Sequence, residues 1–304
     1  MKNGFKIKNN LTVEEKSHLL TILENNGCKN IYLHHAIYSN SEKFSFILPD
    51  KFMNNICNFI SAYNKSNGEL HLFSLNDEGI SLFNYFLFST NNLWDIGRGI
   101  QYFGSDAITS KKLFNYNSKL LSNLLEMNEY YVYTLNRECF IEKMNELEAY
   151  FNSKENDIKF CFATDKKDLL RLINLQKGYL FEEMRYPMTI LSEKFILLNL
   201  HKILKNYKLF FLEHNFKPVA KCEWNAFSDK FFQIGGVYVE PKFRNHGFAF
   251  IMLYKMLYFS FIELGMREAS LFVRMTNDAA QKLYEKLQFK KYKDNLVWAI
   301  FKSN

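Results

Sequence analysis

The sequence lacks the marks of a secreted, metal-bound or membrane-embedded protein. Its 304 residues include five cysteines, Cys28, Cys57, Cys139, Cys161 and Cys222. The count is odd, the spacing is wide, and no CxxC pair or Cys/His grouping of zinc-site spacing occurs. A disulfide framework is excluded, no metal ligand is expected, and reduced thiols in a cytoplasmic protein are the expectation. The N-terminal segment carries early lysines but no apolar core of the kind a secretory signal needs. The most apolar run, residues 248–264, is broken by Lys255 and Glu263. It falls short of the roughly 20 apolar residues that cross a bilayer, so it reads as a buried helix and no membrane partner is expected.

Blocks of charge are missing too. The formal net charge is +7, yet the lysines are scattered and never gather into a run of five or six. A solvated surface is the plainer reading. Nucleic-acid binding through aromatics such as Tyr85, Trp94 and Tyr102 is not expected, although a basic protein still attracts small polyanions. There is no internal repeat of 20 to 50 residues and no low-complexity segment.

What is present is apolar mass: 48% of the residues are hydrophobic. That is enough for a sizeable core, and the length suits two domains. The polar stretch 152–157 separates a charged helical pattern at 137–151 from a strand pattern at 158–163. It predicts an N-terminal α/β domain over 1–152 and a second domain over 157–304. In the first half, 12–25 reads as a helix opened by a Thr-x-x-Glu capping box. Residues 30–38, 43–48, 69–75 and 130–135 read as extended, and 50–63 and 120–127 as helical. The glycine-bearing segment 94–104 reads as a structural turn. The class is α/β or α+β, and nothing sharper.

The second half is more regular. Helical patterns at 166–184 and 192–206 precede three extended runs, 209–214, 218–227 and 231–240. Their short links predict antiparallel neighbours. A helix at 248–264, a strand at 269–273, a helix at 277–287 and extended pieces at 290–292 and 296–301 complete it.

Glycine is scarce, at 12 residues. Three of these, Gly235, Gly236 and Gly247, fall in one stretch, IGGVYVEPKFRNHGFAF. Glycines inside an apolar strand mark a bulge or a close approach to the main chain. Gly247 stands where the strand gives way to a helix, so the amides from Arg244 to Phe250 can face one concave patch. Free amides at a helix N-terminus, backed by the helix dipole, suit a diphosphate.

The spacing of Val239, Pro241, Arg244, Gly247 and Ala249 resembles the acyl-coenzyme A loop of the GNAT superfamily of N-acetyltransferases. Downstream, Asn277, Ala280, Leu283, Tyr284, Leu287 and Phe289 resemble a second family segment. The resemblance covers about residues 158–301. Gln288 and Phe216 stand where the family commonly has glycine. The resemblance implies a mixed, mostly antiparallel sheet flanked by helices. For the first half it leaves two readings, a degenerate copy of the same fold, which is favoured, or an unrelated lid.

The same resemblance implies a cofactor, acetyl-coenzyme A, and a set of roles. Val237, Tyr238 and Val239 would pair their backbone with the pantetheine arm, with Gly235 and Gly236 letting it approach. Arg244, Asn245, His246, Gly247, Phe248, Ala249 and Phe250 would hold the pyrophosphate, and Asn277 would touch the cofactor from the next helix. Tyr284 matches the family's general acid, a phenol set against a thiolate whose conjugate acid lies near 8.5. A strand amide near Tyr238 would stabilise the developing oxyanion.

For the base the candidates are Glu182, Glu183, Glu223 or a water chain. Tyr179, Glu182 and Glu183 share one helical face, whereas Gln233 stands where some relatives carry a carboxylate. The expected activity is direct transfer of an acyl group to a primary amine on a small molecule or peptide, by a monomer or homodimer. The alternative is a non-catalytic acyl-coenzyme A-binding regulatory module.

Overall fold

A computed structural model describes residues 5–27, 30–54, 57–89, 100–116, 122–149 and 157–302. In chain order the elements begin β1 (Phe5–Lys8), α1 (Val13–Glu24), α2 (Ile31–Ser39), β2 (Phe44–Pro49), β3 (Phe59–Asn64), β4 (Glu69–Ser74), α3 (Asp77–Ser89), β5 (Tyr102–Asp106), α4 (Ala107–Tyr116) and β6 (Leu124–Asn136). They continue α5 (Arg137–Glu148), β7 (Ile158–Phe162), α6 (Lys166–Glu182), α7 (Glu193–Asn206), β8 (Leu209–His214), β9 (Lys217–Phe227), β10 (Phe231–Val239) and α8 (Phe248–Tyr258). The last are β11 (Glu268–Arg274), α9 (Asp278–Lys286), β12 (Lys290–Lys291) and β13 (Leu296–Phe301). Among the described residues no helix is long and apolar enough to cross a membrane.

Two compact units emerge. Unit 1 holds residues 1–132, 272–277 and 291–304, and unit 2 holds 133–271 and 278–290. This division does not follow a cut at 152–157. The physical reason is β13, which lies antiparallel to β5 through Trp298 opposite Gly104, and antiparallel to β6 through Trp298 opposite Asn128. Ladder hydrogen bonds therefore draw the C-terminal strand into unit 1. Of the expected linker, 152–156 lies outside the described residues, as do Cys28 and residues 94–99 of the glycine-bearing segment.

The two units repeat one pattern. In unit 1, β1, β2, β3 and β4 form an antiparallel run, and β4 pairs parallel with β5. In unit 2, β7, β8, β9 and β10 do the same, and β10 pairs parallel with β11. Unit 1 buries both faces of its sheet. Phe46, Leu48, Ile60 and Ala62 pack with Leu19, Leu23 and Ile37 of α1 and α2. Ile47, Phe59 and Tyr63, alternate on the same strands, pack with Phe83, Phe86 and Leu113 of α3 and α4. In unit 2, Leu169, Leu172 and Leu175 of α6 and Ile196 and Leu200 of α7 cover one face. The opposite face is aromatic, with Trp224 stacked on Phe232 at 4.9 Å and Phe232 against Phe261 at 5.5 Å.

Local chemistry sets many element boundaries. Thr12 Oγ1 accepts from the Glu15 amide at 3.2 Å while Glu15 Oε2 accepts from the Thr12 amide at 3.0 Å, the expected capping box. Asp165 Oδ1 caps α6 by accepting from Lys167 and Asp168 at 2.8 and 3.1 Å. The β8–β9 hairpin turns through Asn215 and Phe216, both left-handed at φ 51 and 62°. Such a two-residue turn favours glycine at the second position, so Phe216 carries backbone strain. Gln288, at φ 70°, does the same after α9.

Three expectations are corrected. Residues 30–38 are helical, not extended, because burial of Ile31, His34 and Ile37 follows a helical period in a β-branched and aromatic sequence. Residues 50–63 are not a helix: a single 3-10 turn at Phe52–Asn54 precedes β3, which is buried on both faces and so shows no alternation. Residues 124–127 belong to β6, and 120–121 lie outside the described residues. The sequence pattern assigned nothing to β1, α3 and α4, and residues 102–104, read as part of a turn, begin β5, where Gly104 lies opposite Trp298.

Candidate functional site

The site is built on β10. Its parallel ladder with β11 runs from Phe231 to Ile234 and stops there. On the other side, the pairing with β9 slips by one residue between Gly235 and Tyr238, a bulge. The strand beyond Ile234 thus turns an edge of main-chain groups, through Val237 and Val239, away from any β11 pairing.

The two strand glycines have a reason different from the expected one. A side chain at Gly235 would collide with the Asn225 amide, and one at Gly236 would lie 2.6 Å from Glu223 Cδ. Gly236 also sits at φ +57°. The glycines therefore make room for neighbouring side chains of β9, while the open edge comes from the end of the ladder.

After Pro241–Phe243, a 3-10 turn, Asn245 and Gly247 adopt left-handed conformations at φ 65 and 85°. Gly247 is the N-cap of α8 and supplies no capping side chain. By helix geometry the first amides of α8 have no intrahelical acceptor. Phe248 and Phe250 are buried, Phe248 against Phe243 and His214, so they offer the patch only their backbone. Ala249 is half-buried. His246 donates from Nδ1 to the Arg244 carbonyl at 2.7 Å.

Arg244 is exposed, and its guanidinium is held by Glu182 and the Val239 carbonyl. Its Nη2 meets Glu182 Oε2 at 2.6 Å and its Nε donates to the Val239 carbonyl at 3.1 Å. The guanidinium carbon lies 5.4 Å from the Tyr238 ring. Tyr238 completes the group by donating to Glu182 Oε1 at 2.6 Å. Burial works to raise the Glu182 pKa, but the hydrogen bonds from Tyr238 and Arg244 outweigh it and hold the carboxyl below its usual range. Burial, then the Glu182 hydrogen bond, push the Tyr238 phenol up. With both oxygens engaged and its basicity reduced, Glu182 is a poor proton acceptor. It ties the end of α6 to the loop.

Tyr284 lies buried on α9, its ring 6.3 Å from Tyr133 and 6.1 Å from Phe289. Burial pushes its phenol pKa up, and the charge of Glu183 and the Cys222 thiol add to the shift. Asn277 stands just ahead of α9, with its amide donating to the Arg274 carbonyl at 2.9 Å.

Sequence reasoning missed a polar patch on the face of the unit 2 sheet that α6 and α7 cover. Opposed residues in a ladder share a face, which places Glu223 with Gly235, Lys221 with Tyr238, and Gln233 with Ser270. Lys221 is fully buried, with Nζ 3.2 Å from Glu223 Oε2 and 4.5 Å from the centroid of the Tyr179 ring. The signal was visible as polar residues at alternate positions of an otherwise apolar strand, Lys221, Glu223 and Asn225.

The model of the acetyltransferase (GNAT) family matches residues 132–289. Comparison with curated proteins by sequence finds no match. Among solved structures, a Drosophila protein is similar at 12% identity and TM-score 0.65, with 98% of each chain covered. A tandem GNAT protein from the clavulanic acid biosynthesis pathway is similar at 7% identity and TM-score 0.61, again with 98% of each chain covered. A GCN5-related N-acetyltransferase from Kribbella flavida is similar at 10% identity and TM-score 0.52, over 81% of this chain and 88% of that one. At these identities the likeness is one of fold, and the tandem neighbour matches the repeated strand pattern of the two units.

Proposed function

Because the chain belongs to the acetyltransferase (GNAT) family, we propose that unit 2 transfers an acyl group from acetyl-coenzyme A to a primary amine by direct attack. The observation that carries this is the β10 edge left open beyond Ile234, leading within a few residues to the uncapped α8 N-terminus at Gly247. An extended arm can add to such an edge, and a diphosphate suits the amides at its end. Coenzyme A has both parts. When bound, it supplies an activated thioester.

The protein's residues then have defined tasks. Val237, Tyr238 and Val239 offer backbone to the arm. The amides of Asn245, His246, Gly247, Phe248, Ala249 and Phe250 would receive the phosphates. Arg244 and Glu182 hold the loop in shape. An amide at the bulge near Tyr238 faces the carbonyl oxygen as charge develops.

Tyr284 holds a proton for the leaving sulfur. Its raised pKa keeps it protonated through neutral pH, but it also makes the phenol a weaker acid than a thiol near 8.5. Donation proceeds without penalty only if the phenol oxygen regains a proton from the attacking nitrogen in the same event. Glu183, whose charge acts on the Tyr284 phenol, is one group able to guide that exchange.

Thermal unfolding with acetyl-coenzyme A tests the reading. Ligand at 100 times its dissociation constant adds about 2.7 kcal/mol to stability. Gly247→Val should remove that shift while the variant still unfolds cooperatively, since a branched side chain would fill the phosphate patch. An unshifted wild-type melting curve refutes cofactor binding. The burial of Tyr284 favours a second reading, a non-catalytic acyl-coenzyme A-binding module. Thiol release over a panel of primary amines separates the two.

A further inference from the structure

We propose that Glu223, held by Lys221, is the group that takes the proton from the incoming amine. This inference rests on the acyltransferase reading. Gln233, on β10, has no basic oxygen to offer at neutral pH, and Glu182 is engaged with Tyr238 and Arg244. Glu223 is different. Its carboxylate lies against the bulge, where a Gly236 Cβ would sit 2.6 Å from Glu223 Cδ. The bulge is also where an acyl carbonyl would meet the strand amides.

The surroundings are those of a polar recess. Gln233 and Ser270 are both more than nine-tenths buried, yet Gln233 Oε1 and Ser270 Oγ have no hydrogen-bond partner among the described residues. Asn225 Oδ1, half-buried on the same face, is likewise without one. Buried polar atoms are ordinarily paired, and three unpaired polar atoms on the sheet face that carries Glu223 are what a polar guest would satisfy. The other face of the same strands is filled by Trp224, Phe232 and Phe261, which shows that the fold can supply apolar packing here.

The proton balance closes. A protonated amine gives one proton to the Glu223 carboxylate, and the freed lone pair forms the nitrogen–carbon bond. As the carbon–sulfur bond breaks, sulfur takes the Tyr284 proton, and the nitrogen's second proton returns to the Tyr284 oxygen. Glu223 then releases its proton to water. Lys221 Nζ, 3.2 Å from Glu223 Oε2, holds the carboxylate in place beside the bulge.

Two coenzyme A thioethers test this without knowledge of the acceptor. S-(2-aminoethyl)-coenzyme A places an ammonium beyond the sulfur, and S-propyl-coenzyme A is its uncharged isostere. Calorimetry at pH 7 should give the wild-type protein a preference of about tenfold for the ammonium form. Glu223→Gln should bring the two affinities within about twofold and leave S-propyl-coenzyme A binding unchanged. If that variant fails to bind S-propyl-coenzyme A, Glu223→Asp serves instead, with the preference reduced and the S-propyl affinity kept. Wild-type protein that binds both forms equally overturns the role of Glu223, as does a preference that survives in Glu223→Gln. A wild-type protein that binds no coenzyme A form overturns the acyltransferase reading, and this inference with it.

Discussion

Glu182 and Arg244 are 62 residues apart in sequence and 2.6 Å apart in space. The pair joins the last turn of α6 to the turn that precedes α8, and Tyr238 locks it from β10. Three elements that approach the proposed cofactor thus meet at one carboxylate.

Glu182→Gln should lower coenzyme A affinity by about tenfold, because a neutral amide holds Arg244 less firmly and the loop loses its fixed shape. The pH dependence follows from the sign of the shift. A carboxyl held below its unfolded value, near 4.3, adds stability that is present above that value and is lost as pH falls through the lower folded value. The melting temperatures of wild type and Glu182→Gln should therefore differ at pH 7 and converge in strong acid. Parallel curves down to pH 2 would refute the pair's contribution.

Gly178 lies on α6 where any β-carbon would run into the Tyr238 hydroxyl. Gly178→Ala should cost about 1 to 3 kcal/mol by overpacking, despite alanine's better helix propensity. In a Tyr238→Ala background the same change should cost nothing or stabilise. Denaturant titration of the four proteins in this cycle measures the coupling.

Tyr284→Phe should reduce turnover by about 10² to 10⁴-fold while coenzyme A affinity stays within a factor of two. Because burial raises this phenol above its ordinary value near 10, its ionisation should not appear as an alkaline limb of kcat below pH 10. Turnover within twofold of wild type would exclude Tyr284 as the proton donor.

Phe216 is 92% exposed and left-handed, at φ 62°, in a two-residue hairpin turn. Phe216→Gly should stabilise unit 2 by about 1 kcal/mol, since a non-glycine residue in this conformation costs about 1 to 2 kcal/mol and glycine's greater unfolded freedom returns part of it. A rise in melting temperature with unchanged coenzyme A affinity is the expected result.

The second half was the more legible in sequence because its hairpin links are short and α6 and α7 carry capping residues at their starts. Asp165 and Ser192 each accept from helix amides as their positions suggest. The first half misled where local composition and burial disagree. Residues 31–39 carry strand-forming side chains in a helix, and β3, covered on both faces, shows none of the alternation that identifies a half-buried strand.

In the site, Gly247 at the start of α8 was readable from the sequence, and its left-handed conformation emerged from the structure. Two other features were not readable. The partner of Arg244 and the occupants of the space beside Gly235 and Gly236 come from elements distant in the chain.

The residues alone pointed to the family, through the motifs at 239–249 and 277–289, and to the order of elements in the second half and the turn at Gly247, through local backbone demands. Only the tertiary structure decided that β13 joins unit 1, that Glu182 is bound by Tyr238 and Arg244, and that Lys221 and Glu223 share a buried polar face. Those facts depend on which strands pair and in what register. A ladder shifted by one residue turns every side chain to the other side of its sheet, so no local pattern could have specified them.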